Sequence, residues 1–313
     1  MTRPRRVLIT GAGGFIGRWS VPPLLRRGFD VHAVISPDPA RPVPEQLRGA
    51  TLHRTDLIVP ERAVELVAAL APTDLLHFAW IAKPGVYAAS TDNYRWLEAG
   101  RTLLAAFLAA GGSRAVAAGS SAEYAATGAG LCVEGRSPLA DAPAPSPYAE
   151  CKLALQRFWE SECRHAGTAA AWGRIFFQYG PAEHPDRLVA SVIRALLSQR
   201  EAHCTHGRQI RAFMHVADVG AAFAALLAGD VQGPVNIASD RCISLAGLID
   251  VIAAQIGRRR LVRLGARPAP AGEPAVLVAD VRRLRDEVGF TPRFELEAGL
   301  ADTIAWWRKE LRS

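Results

Sequence analysis

The chain of 313 residues is poor in lysine: Lys83, Lys152 and Lys309 stand against a Lys+Arg total of 37. The formal net charge of +7 is therefore carried almost wholly by arginines, and these are dispersed. A nucleic-acid surface gathers its cations on one face, so no nucleic-acid partner is expected. Even Arg258-Arg259-Arg260 reads as a solvated group at a helix end. Cysteine is scarce too. Cys132, Cys151, Cys163, Cys204 and Cys242 are scattered, odd in number and without a CxxC pair. That argues against a disulfide framework and a zinc site, so no metal is expected, and a reducing cytoplasm is the expected location. Long apolar runs are missing as well. Leu103–Ala110 falls far short of the roughly 20 residues of a membrane helix. The start, MTRPRRVLITGAGG, has no apolar segment of the kind a signal peptide needs, so neither a leader nor a membrane association is expected.

What the chain does have is alternation. Arg6–Thr10, Val31–Ile35, Asp74–Ala79, Arg114–Ser120 and Ala169–Phe177 read as strands. Between them Phe15–Arg27, Glu61–Leu70, Asn93–Ala110 and a stretch from Pro147 to about His165 read as helices. Strands alternating with helices imply parallel pairing with right-handed crossovers. The expected fold is α/β, a Rossmann-type doubly wound parallel sheet with a smaller mixed α/β C-terminal substrate lobe. The dinucleotide domain is expected over 1–178 and the lobe over 179–313, with 211–232 returning to the first domain. The last helix, Leu296–Arg312, carries Trp306 and Trp307.

Gly11, Gly14 and Gly17 have GxxGxxG spacing between the first strand and the first helix. The first glycine allows a tight turn, the second lets backbone approach a pyrophosphate, and the third lets the helix lie close to the sheet. Phe15 and Ile16 complete this turn, which points to a dinucleotide. Where an acid usually meets the 2′-OH of NAD, the second strand ends in Ser36, with Asp38 and Arg41 beyond. Ser36, Arg41 and Arg18 lean toward NADP(H), while Asp38 keeps NAD(H) open. Asp56-Leu57 could contact adenine, or Asp56 could simply cap the next segment.

Tyr148 and Lys152 are four apart, which on a helix puts them on one face. An ammonium beside a phenol favours phenolate, and such a tyrosine can exchange a proton with an alkoxide. Lysine here, in a chain that prefers arginine, fits a role that a guanidinium fills badly. Ser146-Pro147 starts the helix with a cap and a first-turn proline. Ser120-Ser121 ends a strand on the side of the sheet where ligands bind.

Together Gly11–Gly17, His77-Phe78-Ala79, Asn93, Ser120–Tyr124 and Tyr148–Lys152 resemble the extended short-chain dehydrogenase/reductases, the nucleotide-sugar epimerase, dehydratase and reductase group. The resemblance continues through Arg174–Pro181, Gly207–Val219, Val235–Ile237 and Gly289–Leu300, and so spans nearly the whole chain. It implies that Tyr148 is the acid/base, that Lys152 holds the nicotinamide ribose and tunes Tyr148, and that Ser120 polarises the substrate oxygen. It further implies cofactor contacts from Ala79, Trp80 and Asn93, and substrate contacts from Trp80, Ser121, Glu123, Phe177 and Arg211. Arg211 would meet a diphosphate with both arms of its guanidinium. Paired helices of the kind at Asn93–Ala110 and Ser146–His165 imply a homodimer.

Departures from the family pattern narrow the chemistry. Ser121 and Ala122 stand where dehydratases carry Asp-Glu, with Glu123 one place later, which disfavours dehydration. Phe177 replaces an Asn, Ala212 an Asp, and Trp80 a small residue. A ring at Trp80 would leave a sugar little room to turn over, or could equally fill the core. Glu183, His184 and Arg187 could add a substrate contact or a second acid, or form an ordinary polar loop. The expected activity is an NADP(H)-preferring reductase acting on a small-molecule substrate, a nucleotide-linked 4-keto-6-deoxy sugar. The alternatives are an NAD-dependent nucleotide-sugar 4-epimerase and a non-catalytic dinucleotide sensor on the same fold.

Overall fold

The computed structural model describes residues 5–125, 130–140, 146–270 and 272–312, so the first four residues of the basic start lie outside it. The chain opens with β1 (Arg6–Thr10), α1 (Gly17–Arg26), β2 (Asp30–Ile35), β3 (Thr51–Arg54) and α2 (Pro60–Leu70). It continues with β4 (Asp74–His77), α3 (Asp92–Ala109), β5 (Arg114–Ser120), β6 (Leu131–Cys132), α4 (Pro147–Ala166) and β7 (Ala169–Ile175). Punctuation residues set these bounds. Proline takes the first helical positions of α2 and α4, and Gly167, at φ +67°, closes α4 in the left-handed region.

After β7 come β8 (Phe177–Tyr179), α5 (Leu188–Leu197), β9 (Ala202–His203), β10 (Ile210–His215), α6 (Val216–Ala228) and β11 (Gly233–Ile237). The chain ends through β12 (Cys242–Ser244), α7 (Leu245–Ile256), β13 (Val262–Arg263), β14 (Val276–Ala279) and α8 (Leu296–Glu310).

The main sheet has seven strands in the order β11-β7-β5-β4-β1-β2-β3. Every pairing in it is parallel. Successive residues of β1 face opposite sides: Val7 and Ile9 join the core under α1 and α6, and Leu8 joins the core under α2, α3 and α4. Burial on both faces explains why Val7, Leu8 and Ile9 are apolar in unbroken succession. β1 lies between β4 and β2, so the chain reverses its direction of winding there. That switch point opens a crevice at the carboxyl ends of the strands, the usual ligand position in such sheets.

A second sheet, β12-β10-β14-β6 with β8 on β10, forms the smaller lobe, whose helices α5, α7 and α8 share a core of Val189, Ile193, Leu248, Ile252, Leu300 and Ile304. Two details differ from the sequence expectation. The strand expected over Ala169–Phe177 breaks after Ile175. Phe176 is buried among Tyr124, Cys132, Ala238 and Ala279, and Phe177–Tyr179 pairs with β10 in the other sheet. The segment that returns to the first sheet runs from Val216 to Ile237, since α6 packs with α1 in one core and β11 pairs along β7. Arg211 stays with β10 in the smaller lobe. Among the described residues no helix is long and apolar enough to cross a membrane.

Candidate active site

A cleft of about 1130 Å³ runs from the glycine turn to the smaller lobe. That exceeds the usual span of a single small-molecule pocket and suits two ligands laid end to end. At its floor the glycines are required by packing. Gly11 has φ +67°, and a Cβ there would sit 2.7 Å from the amide nitrogen of Ala79. A Cβ on Gly17 would sit 2.4 Å from the Gly11 carbonyl oxygen. α1 begins at Ile16 with no side-chain cap and no acid in its first turn. Its first N–H groups therefore suit the negative charge of a pyrophosphate, and the residues present fit a dinucleotide.

Arg18 is turned back onto the glycine turn. Its Nε and Nη2 donate to the carbonyls of Gly14 and Gly13, each at 2.8 Å. These bonds brace the turn, and Arg18 is not among the residues that line the cleft. Ser36 and Arg41 do line the cleft, and so does Arg54, which the sequence reading missed. The β2–β3 register sets Arg54 opposite Ile35, one residue from Ser36. Its Nη1 donates to the carbonyls of Ser36 and Asp38 at 3.2 and 3.0 Å. Asp38 is not a lining residue. Its Oδ1 accepts from the Ala40 amide at 3.0 Å, and its Oδ2 lies 3.8 Å from Arg41 Nε. Asp56 and Leu57 line the cleft further along, with Asp56 Oδ1 accepting the Ile58 amide at 3.1 Å. Asp56 thus caps the segment that follows it while lying on the cleft wall.

The opposite end carries the polar chemistry. Ser146 Oγ accepts the Ala149 amide at 3.3 Å and starts α4, whose first turns place Tyr148 and Lys152 on the cleft wall. Lys152 is 3% exposed, donates to the Ala118 carbonyl at 2.9 Å, and has its Nζ 3.8 Å from the centre of the Trp80 ring. Burial pulls its pKa down to about 7, against the pull of Glu123 in the other direction. Burial and the nearby Lys152 also hold His77 neutral, at about 3, while its Nδ1 shares a 2.7 Å hydrogen bond with Thr10 Oγ1. The Tyr148 phenol is pushed well up by burial, and a hydrogen bond with the Ser120 hydroxyl opposes this. Ser120, Ser121, Ala79 and Trp80 line the cleft beside it.

Two expected contacts turn inward instead. Asn93 is fully buried, with its Oδ1 accepting from Trp80 Nε1 at 2.8 Å and its Nδ2 donating to the carbonyls of Tyr87 and Ser90 at 2.7 Å each. It fixes the Trp80 ring and the loop beyond rather than reaching a cofactor. Glu123 is also fully buried. It accepts from the Ser120 amide at 2.7 Å, from Arg174 Nε at 2.8 Å and from Trp172 Nε1 at 3.0 Å. Those donors hold it behind the site, so it is not a substrate contact. Its place after Ser120 is a capping box, in which Ser120 and Glu123 satisfy each other's backbone groups.

On the smaller lobe Phe177, Arg187 and Arg211 line the cleft. Arg211 is 2% exposed, and its two terminal nitrogens are already engaged by Glu273 and by the carbonyls of Ile210, Pro274 and Ala275. Only Nε–H lacks a partner, so the expected two-armed grip on a diphosphate is not available in this arrangement. The Arg187 guanidinium lies 5.3 Å from the centre of the Tyr87 ring, which meets the Tyr148 ring edge-on at 4.8 Å.

A glycine turn at a switch point, facing a Tyr/Lys helix and a serine-ended strand, defines an extended short-chain dehydrogenase/reductase. The chain belongs to the NAD dependent epimerase/dehydratase family, whose model matches residues 7–238. Among curated relatives, the dTDP-4-dehydro-6-deoxy-D-allose reductase of a Streptomyces species is 32% identical over 139 residues, 43% of this chain and 42% of that protein. The UDP-glucuronic acid decarboxylase 1 of Xenopus tropicalis is 27% identical over 52% of this chain and 39% of its own length. This chain thus matches about two fifths of the length of these two relatives. Among solved structures, MoeE5 in complex with UDP-glucose and NAD is 31% identical, covers 98% of this chain and 99% of its own, and superposes with a TM-score of 0.80. The UDP-glucose 4-epimerase of Thermotoga maritima, 22% identical over 98% of this chain and 99% of its own with a TM-score of 0.85, shares the fold.

Proposed function

We propose that the protein is an NADP(H)-preferring reductase of a nucleotide-linked 4-keto-6-deoxy sugar. The observation that carries this reading is the adenosine-ribose end of the cleft. Ser36 ends β2 there, Arg41 and Arg54 line the wall, and the Asp38 carboxylate is tied to Ala40 and Arg41 outside it. Two arginines on the wall, with the Asp38 carboxylate directed away from it, suit a 2′-phosphate, and an NADP(H) enzyme usually runs a net reduction.

The reacting end agrees. A bound reduced cofactor would supply the hydride for reduction of a carbonyl. Ser120 hydrogen-bonds the carbonyl oxygen and Tyr148, held protonated by burial, gives that oxygen its proton. Lys152 holds the cofactor ribose and eases the return of a proton to the phenol. Trp80, pinned by Asn93 and stacked on Lys152, narrows the space in which a sugar could turn over. The reductase relative supports the substrate class for the part of the chain it matches.

A second reading, an NAD-dependent 4-epimerase, is favoured by the likeness to MoeE5 with UDP-glucose and NAD along the whole chain. Purified protein incubated with nucleotide-linked 4-keto sugars and NADPH distinguishes the two. Stoichiometric loss of absorbance at the NADPH band supports the reductase. Bound NAD, no net consumption and a change of configuration support the epimerase.

The Ser36→Asp variant should shift the ratio of NADP to NAD affinity toward NAD by about ten- to a hundredfold, the worth of one charged hydrogen bond. Wild type binding NAD more tightly than NADP in the same titration would sink the NADP(H) assignment. The protein is further expected to be a homodimer through α3 and α4, which pack side by side over one face of the sheet. Such an interface would be isologous. Sedimentation at micromolar concentration should give twice the chain mass, and a monomer there would count against it.

A further inference from the structure

The segment between β8 and α5 contains a carboxyl group that the chemistry above does not use. Glu183 lines the cleft yet is 5% exposed. Such a group is costly to bury and rarely stays buried without a partner. Its partners here are neutral. Oε2 accepts the Ala190 amide at 3.2 Å in the first turn of α5, and no ion pair is formed with Arg187. The backbone before it is strained to aim it: Ala182 has φ +65°, a region that side chains other than glycine seldom enter. The Glu183 amide closes the turn onto the Gly180 carbonyl at 3.2 Å. Glu183, Arg187 and Tyr148 line the same cleft.

We propose that Glu183 is a further substrate-contacting residue, whose carboxyl group donates a hydrogen bond to an oxygen of the sugar. This rests on the nucleotide-sugar reading. Burial pushes the group up to about 8, with the Ala190 amide and Arg187 opposing, so below that pH the acid form is at hand. On the same loop His184 and Asp186 face each other at 3.8 Å, and Tyr148 lines the same cleft. An acid in this position can give a hydrogen bond to a keto or hydroxyl oxygen, which a carboxylate cannot do. It would therefore discriminate the sugar and leave the nucleotide alone.

The test is calorimetric, on the protein saturated with NADP+, with two probes: dTDP and dTDP-4-keto-6-deoxyglucose. The ratio of their affinities isolates the sugar. Wild type should gain from the sugar at pH 7 and lose that gain as pH rises through 8. Glu183→Gln, which keeps a donor and does not titrate, should keep the gain at both pH values. Glu183→Leu should lose about tenfold of it while binding dTDP as before. A Leu variant with an undiminished gain, or a Gln variant that loses it at pH 7, overturns the proposal. A wild type that gains nothing from the sugar overturns the nucleotide-sugar reading and this proposal with it.

Discussion

Tyr148→Phe is expected to lower turnover by roughly 10²–10⁴-fold while cofactor affinity and the unfolding midpoint stay within error, because only the acidic hydroxyl is removed. The phenol is half-buried in the cleft wall, with the Ser120 hydroxyl beside it and the Tyr87 ring against its face. Phenylalanine keeps that packing. The loss should appear in kcat and in kcat/KM alike, as it does when an interaction made only in the transition state is removed. A variant retaining more than about a tenth of the wild-type rate would remove Tyr148 from the proton path.

The second large effect is expected behind the site. Glu123 and Arg174 are both buried and form a 2.8 Å ion pair, with Arg174 extended by a 2.8 Å bond to Gln156. Glu123→Ala leaves the guanidinium buried and unpaired, and also strips the Ser120 amide and Trp172 Nε1 of their acceptor. Removing one partner of such a pair costs about 3–5 kcal/mol, a large share of a domain's stability. Equilibrium urea unfolding should show that loss, and the surviving folded protein should turn over slowly because Ser120 is no longer held. Adding Arg174→Met to Glu123→Ala should restore part of the stability, since it removes the stranded charge. A single variant that loses less than about 1 kcal/mol would mean that the pair contributes little to the fold.

The parts legible from sequence are those with local causes. Proline marks the starts of α2 and α4 and glycine the end of α4, the apolar run Val7–Ile9 marks β1, and the glycine turn shows itself by spacing. What stayed hidden depends on partners distant in sequence. Arg54 reaches Ser36 only through the β2–β3 register. Asn93 turns toward Trp80 because the loop between them folds back. Arg211 is occupied by Glu273, sixty-two residues on. The break between β7 and β8 follows from Phe176 crossing into a core that the sequence does not announce. Glu123 is different, because its signal was present. Ser120-x-x-Glu123 is the spacing of a capping box, which foretells a carboxylate folded back on its own backbone.

The return of α6 and β11 to the main sheet bears on how the gene could be cut. A fragment ending near residue 178 would hold the glycine turn, Ser120, Tyr148 and Lys152, yet it would leave β7 as a bare outer strand and uncover the flank of α1 where α6 lies. An open strand edge beside an exposed apolar face is a template for pairing with other copies. The main sheet and its helices are thus stitched from two lengths of chain, and the smaller lobe is divided too, with residues 177–215 between those lengths and 242–310 after them. Exchange of substrate lobes between relatives would need paired crossovers, one near Phe176 and others flanking Val216–Ile237, instead of a single junction.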